Sequence, residues 1–253
     1  MWGGIEATEP QRWEMLEYVK EKDADILCLQ EANLGGKFQS TIDSLLNSIY
    51  PYHVMKEKTT MYDRLAIYSK YPIVRSQRVK YPQSDDFSLA CWVSLPDDTV
   101  LIVNNHFVTT GLTEAQRRDF KSMLKGNLQT KEMPSLGKSL VHKLGEFAQL
   151  RAPQVEAVAQ FVHQHKGESM ILCGDFNDSP ISYARYRMAK ELNDCYIASG
   201  NGPGISYHRN GFYVRIDNIM CSDHWQPLKC VVENKVKISD HYPIFCTLQK
   251  LHK

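Results

Sequence analysis

Short apolar runs of strand length, separated by stretches with helical spacing, recur along the whole of this chain. DILCLQ (25–30), LAIYS (65–69), LACWVSL (89–95), VLIVNNHF (100–107), ESMILC (168–173), VRIDNIMCS (214–222) and YPIFCTL (242–248) each read as a strand. Between them Trp13, Leu16 and Val19 recur at helical spacing, and so do Phe38, Ile42, Leu45, Leu46 and Ile49. Thr8 with Gln11 makes a capping box ahead of the first helix. RAPQVEAVAQFVHQH (151–165) predicts a third, with Pro153 in its first turn where no N–H is needed. Strands and helices interleave, which makes α/β the class.

Composition narrows the field without choosing a reaction. At 253 residues and 43% apolar content the chain can bury the core of one large domain. Its 30 Lys and Arg balance 29 Asp and Glu, which removes the simplest case for a surface that grips nucleic acid everywhere. Of seven cysteines, Cys28, Cys173, Cys221 and Cys246 sit inside apolar runs, and no CxxC or Cys/His zinc spacing occurs. They read as free thiols. No apolar run is long enough to span a bilayer, and no signal peptide is visible. One segment stands apart: 111–150 is polar, with eight Lys and Arg counted through Arg151 against four acids. It reads as a basic insertion, helical or partly mobile. Its charge suits a membrane surface or a phosphorylated substrate, and equally a solvated helical pair. LGKSL (136–140) carries part of a phosphate loop, but Glu132 stands where the first glycine is required. His163 and His165, at the polar end of a helix, read as solvated.

Polar residues gather where the strands stop. Glu31 follows DILCLQ, His106 ends VLIVNN, Asp175 and Asn177 follow MILCG, Asp217 interrupts VRIDNIMC, and Asp240 with His241 precedes YPIFCTL. Each has an ordinary explanation taken singly. Asp and Asn in GDFNDSP favour turns, Glu31 could cap the next segment, His106 could be a satisfied core histidine, and Asp217 could pair with Arg215. Taken together they supply carboxylates for a hard divalent cation and two imidazoles that change charge near neutral pH. Such a set suits attack of water on phosphorus, where a cation and hydrogen-bond donors hold the phosphoryl oxygens.

The blocks QE (30–31), NNHF (104–107), GDFND (174–178), RIDNI (215–219) and SDH (239–241), in that order, resemble the endonuclease/exonuclease/phosphatase superfamily. YSKYPI (68–73) is similar to the strand-turn that follows the family's QE block. The resemblance implies a four-layer α/β sandwich, two mixed β-sheets packed face to face and flanked by helices, with the site where strand ends converge. It implies Mg²⁺, with Mn²⁺ as a substitute, held by Glu31 with Asp240 near it. His106 would contact the scissile phosphate. Asp175 would orient or deprotonate the attacking water, or assist the leaving group. Asn177 would donate to a phosphate oxygen. Asp217 would orient His241, the general base or phosphate stabiliser.

The family opens with a strand that ends in an Asn near the metal, just upstream of its first helix. No Asn precedes Glu31 here. The expectation is therefore a single domain over 1–253 that lacks this first strand, with targeting signals or an anchor upstream left open. The implied function is divalent-metal-dependent hydrolysis of a phosphodiester or phosphomonoester, and the charge balance favours a substrate other than nucleic acid. A nuclease acting on DNA or RNA is the alternative within the class. A catalytically impaired binding or scaffold domain is the alternative outside it. Oligomeric state is not legible.

Overall fold

The computed structural model describes residues 9–32, 39–57, 64–109, 116, 133–209, 212–237 and 239–251. In chain order these form α1 (Glu9–Lys22), β1 (Ile26–Leu29), α2 (Gln39–Ile49), β2 (Tyr52–Glu57), β3 (Arg64–Ser69), β4 (Ile73–Lys80), β5 (Phe87–Leu95) and β6 (Asp98–His106). There follow α3 (Met133–Gln164), β7 (Ser169–Asp175), α4 (Tyr183–Met188), β8 (Asn193–Asp194), α5 (Cys195–Ser199), β9 (Asp217–Cys221), β10 (Trp225–Val232) and β11 (Ile244–Lys250).

Six strands make one mixed sheet in the order β4-β5-β6-β7-β9-β8, and only β6–β7 pair in parallel. That one parallel pair needs a crossover, and the long connection carrying α3 supplies it. The facing layer is antiparallel and comes in two pieces among the described residues, β1-β3-β2 and β10-β11. β5 and β6 are buried along almost their whole length, so they read as continuous apolar runs rather than alternating ones. Their two faces nonetheless differ. Ala90, Trp92, Leu101 and Val103 pack against Val155, Val158 and Val162 of α3. Leu89, Cys91, Val100 and Ile102 pack against Leu65 and Ile67 of β3. On the outer side of the small sheet, Leu16 and Val19 of α1 meet Ile42 and Leu46 of α2 over Ala66 and Tyr68. Helices, sheet, sheet and helices make the four layers.

Several sequence expectations shift. The helix placed at 151–165 begins at Met133 and keeps Pro153 in its interior. Pro153 lacks the N–H that would bond one turn back, and Leu144 and Leu150, in the turns just before it, are exposed. The part of the basic insertion from Met133 onward is thus the start of α3, while 111–115 and 117–132 lie outside the described residues, as do Thr8 and Phe38. Trp13, assigned to the buried stripe of α1, is 41% exposed, whereas Met15, Leu16 and Val19 are buried. His165 is not simply solvated: its Nδ1 bonds Phe161 O at 2.8 Å, and its ring lies 4.3 Å from Phe161 and 5.6 Å from Trp92. β2, β4 and β10 carry mostly half-buried or exposed residues and so left no clean period to read. All seven cysteines are free, as expected.

The two sheets are pinned together by one buried amide. Asn104, on β6, accepts from Gln30 Nε2 at 2.6 Å and donates through Nδ2 to Leu29 O and Ala66 O, both at 3.0 Å. Next to it, Asn105 accepts from Ser88 Oγ at 2.5 Å and donates to Cys173 O at 3.1 Å, fixing β5, β6 and β7 against one another. Removing a buried partner costs about 1–3 kcal/mol for each group stranded. Asn104→Ala should therefore lower the urea midpoint by at least the equivalent of about 2 kcal/mol with an unchanged denaturant slope. A shift below about 0.5 kcal/mol, the scale of a neutral surface change, would contradict this role.

Candidate active site

Three neighbouring strands of the large sheet bring three predicted residues into one row. In the ladder His106 lies opposite Asp175, and Asp175 lies opposite Asp217. The row depends on close backbone packing at Gly174. Its φ is +136°, and a Cβ there would fall 2.0 Å from Asn105 O, so no side chain fits. Phe107 N bonds Asp175 O and Phe176 N bonds Ile216 O, which extends the alignment one residue past the strand ends. Glu31 arrives from the other sheet, two residues beyond β1, with a left-handed φ of +50°. Such a conformation is uncommon for a non-glycine residue and is found in turns and at functional sites. His241 stands just ahead of β11 and is 5% exposed.

The side chains form a chain of contacts. His241 Nδ1 lies 2.8 Å from Asp217 Oδ2, and its Nε2 lies 3.9 Å from Asp175 Oδ2. His106 Nε2 is also 3.9 Å from Asp175 Oδ2, and 3.8 Å from Glu31 Oε1. Asp175 thus presents one oxygen between two imidazoles. These gaps are too long for direct hydrogen bonds but short enough for one bridging oxygen. Its other oxygen, Oδ1, accepts from Asn177 N–H at 2.7 Å. Asp175, Asp217 and His241 place ligand atoms within 4.8 Å of one another, and all three are buried.

Burial and neighbours push the two aspartates in opposite directions. Burial raises Asp175, and the nearby Asp217 charge adds to it, giving a pKa of about 6. Asp217 pays its own burial cost, but the His241 charge and hydrogen bond pull it down to about 2. His241 is buried too, which alone would lower it; Asp217, and then Asp175, outweigh that and raise it. An ionised Asp217 accepts from His241 Nδ1–H and leaves Nε2 facing Asp175. The alternative partner for Asp217 does not materialise: Arg215 forks onto Asp194 instead, at 3.2 and 3.0 Å. Asp194 is a buried helix cap whose two oxygens match the guanidinium geometry.

The remaining predicted residues are placed differently. Asn177 Nδ2 donates to Phe107 O at 2.8 Å, leaving one amide hydrogen for another acceptor. Asp240 accepts from Ser239 Oγ at 3.3 Å and lies 4.0 Å from Arg209, and it is outside the three-residue cluster. Sequence reading missed the residues that hold the site. Ser206 Oγ accepts from the N–H groups of Ile216 and Asp217 at 3.0 Å. Arg151, 2% exposed, donates to Val108 O at 3.1 Å and to Asp178 at 2.6 Å, tying the loop after His106 to the loop after Asp175. The NN doublet in an apolar strand was a visible signal of buried polar work. Arg151, on the polar side of an amphipathic pattern, gave none.

A family model for the endonuclease/exonuclease/phosphatase family matches residues 1–241, and the chain belongs to that family. Its members are hydrolases acting on phosphoester bonds. By sequence, no curated protein is a match. Solved structures share the fold at low identity. The human Nocturnin catalytic domain with bound sulfate anion is 18% identical, with a TM-score of 0.66 over 98% of this chain and 90% of that one. A family protein from Leptotrichia buccalis is 14% identical, with a TM-score of 0.65 over 96% and 95%. ANGEL2, described as a 2',3'-cyclic phosphatase in complex with adenosine-2',3'-vanadate, is 15% identical, with a TM-score of 0.64 over 96% and 88%.

The raised pKa of Asp175 has a cost in stability. Its ionised form is disfavoured in the fold, so the penalty grows as pH rises from near 4 through about 6 and is constant above. Asp217, depressed to about 2, contributes stability at all pH values above about 4 and loses it only as pH falls through 2. Asp175→Asn should therefore be more stable than the parent at pH 7.5, on the order of 1–3 kcal/mol, and the gain should vanish near pH 4. Denaturant titrations in EDTA at the two pH values test this. A variant that is less stable at pH 7.5 would contradict the assignment.

Proposed function

We propose that this chain is a divalent-metal-dependent phosphoester hydrolase, acting on a phosphodiester or phosphomonoester other than nucleic acid. The observation that carries the reading is Asp175, held by its Oδ1 and presenting Oδ2 to His106 and His241, with Asp217 behind His241. With a pKa near 6, Asp175 is ionised at neutral pH yet basic enough to take a proton from water. His241, whose protonated form Asp217 favours, faces the same oxygen and suits charge that builds on a phosphoryl group. His106 supplies a second imidazole on the other side.

The donor set fits a hard cation. Asp217 is committed to His241, which leaves the Asp175 and Glu31 carboxylates as oxygen ligands flanking His106. Asp240, held by Ser239 and near Arg209, is a weaker candidate than its sequence position suggested. Mg²⁺ or Mn²⁺ held there would supply positive charge to a phosphoryl oxygen and would lower the pKa of a water bound to it. Supporting the substrate class, relatives of the same fold carry a sulfate anion or a vanadate adduct of adenosine. The near-neutral net charge favours a substrate outside nucleic acid.

Hydrolysis of bis-p-nitrophenyl phosphate and p-nitrophenyl phosphate tests the reading, with Mg²⁺, Mn²⁺ or EDTA. Turnover should require the cation and fall by about 10²–10⁴ in His241→Ala and Asp175→Asn, the range for loss of a positioned acid or base. Nicking of supercoiled plasmid at a higher kcat/KM than either ester would transfer the substrate to the nuclease class. A folded, metal-supplemented protein inert on all three would contradict hydrolysis and favour a scaffold.

A further inference from the structure

Four of the seven cysteines meet in one place. Cys195 opens α5, Cys221 ends β9, Cys230 lies on β10 and Cys246 on β11. All four pack with Tyr196, Ile219 and Trp225 in one apolar cluster. Cys195, Cys221 and Cys230 are buried, and Cys246 is half-buried. The Cys195 thiol hydrogen-bonds those of Cys221 and Cys246, and the Cys230 thiol hydrogen-bonds that of Cys246. The group is not a metal cage. Tetrahedral thiolate sites hold their sulfurs about 3.8 Å apart. Among the described residues, the one set of three or more ligand atoms within 4.8 Å of one another is Asp175, Asp217 and His241.

Two of the thiols are placed to bond to each other. Cys230 and Cys246 are direct partners in the antiparallel ladder of β10 and β11. Directly opposed residues hold their Cα atoms about 4.5–5.5 Å apart and put their side chains on the same face. Disulfides span Cα separations of about 4.4–6.8 Å, so this pair can close without moving either strand. Charge favours the same pair. Hydrogen bonds from Cys195 and then Cys230 hold the Cys246 thiol well below its ordinary value, against the effect of burial. The two donors themselves are pushed up. Cys246 is therefore the thiolate, and the nucleophile, of the group. Cys28 and Cys173 also touch, but they lie in different sheets with no ladder to align them. Bonding to Cys173 and burial push the Cys28 thiol well above its ordinary value.

The place of the pair gives it a consequence. The connection from β10 to β11 carries Ser239, Asp240 and His241. Val232 opposite Ile244 is the last rung of the ladder, and Glu233 N–H bonds Pro243 O at 2.9 Å just beyond it. Cys230 and Cys246 stand two rungs further back. A covalent link there excludes open states in which the two strands part and the loop frays.

We propose that Cys230 and Cys246 form a reversible thiol–disulfide pair, a redox staple at the root of the loop that carries His241. The oxidant is a hydroperoxide. The Cys246 thiolate attacks the outer peroxide oxygen and the O–O bond breaks. Water or an alcohol leaves after taking a proton from solvent, and Cys246 becomes a sulfenic acid. The Cys230 sulfur then attacks the Cys246 sulfur, the S–O bond breaks, and hydroxide departs as water with the Cys230 proton. Two thiols lose two electrons and the peroxide gains them. A dithiol reverses the step by exchange. The inference rests on the hydrolase reading only for the role of His241.

Trypsin separates the two residues at Lys235 and Lys237, so the bond can be read directly. The folded chain is treated with dilute hydrogen peroxide, capped with N-ethylmaleimide and digested without reductant. The peptides holding Cys230 and Cys246 should appear linked, two hydrogens lighter than their sum, at least about tenfold faster than any other cysteine pair. Dithiothreitol should restore both thiols. A faster link at Cys195–Cys246 or Cys28–Cys173, or Cys246 driven to sulfinic acid with no link, would overturn the proposal. Hydrogen exchange over residues 233–243 should slow in the oxidised chain and recover on reduction. Equal exchange in the two forms would overturn the staple. A linked but inert enzyme would sink the hydrolase reading and leave this one standing; turnover with no link would do the reverse.

Discussion

The amide of Asn104 is the constraint on which the arrangement depends. Its carbonyl and amino groups are spent on Gln30, Leu29 and Ala66, so β6 of one sheet is locked in register with β1 and β3 of the other. Two residues further along β6 stands His106, and two residues beyond β1 stands Glu31. A slip of one residue in either strand would turn these side chains to opposite faces. The 3.8 Å approach of Glu31 to His106 across the sandwich follows from a hydrogen-bond network buried beneath them.

Above that anchor, the site carries an electrostatic cost. Two aspartates sit in adjacent ladder positions, both buried, and cannot both ionise cheaply. His241 resolves the conflict by pairing with Asp217, which leaves Asp175 to carry the raised pKa. Groups pushed apart in this way mark acid and base roles. Ser206 and Asn177 hold the two carboxylates through backbone contacts, and Arg151 fixes both loops beside them.

The sequence carried much of this, for identifiable reasons. β5, β6 and β7 are apolar enough to announce themselves, and the polar residue ending each of β6 and β7 has no better reason to be there. The α/β class and the positions of His106 and Asp175 at strand ends were legible on that basis, whereas Asp217 was visible only as a carboxylate interrupting an apolar run. The extent of α3 was not legible, because Pro153 imitates a helix start and the apolar Leu144 and Leu150 before it are exposed. Arg215 looked like the natural partner of Asp217 only because it is close in sequence; Asp194, twenty-one residues away, offers the fork a better match. The supporting network of Arg151 and Ser206 was invisible because each contacts groups far away in sequence, Val108 O and Asp178 for Arg151 and the Ile216 and Asp217 N–H groups for Ser206, that only the fold brings near. The split of the smaller sheet likewise exists only in three dimensions.

The central claim is that Glu31 and Asp175, flanking His106, form an oxygen-rich cation site beside His241. Proton NMR of the histidine rings during a Mn²⁺ titration tests it directly, because a bound paramagnetic ion broadens nearby resonances at ratios far below one per protein. The account predicts that the His106 and His241 signals broaden first, while those of His53, His163 and His224 persist. Asp175→Asn should abolish the selectivity. Uniform broadening of all the rings, or selective loss at His163 or His224 instead, would contradict the account.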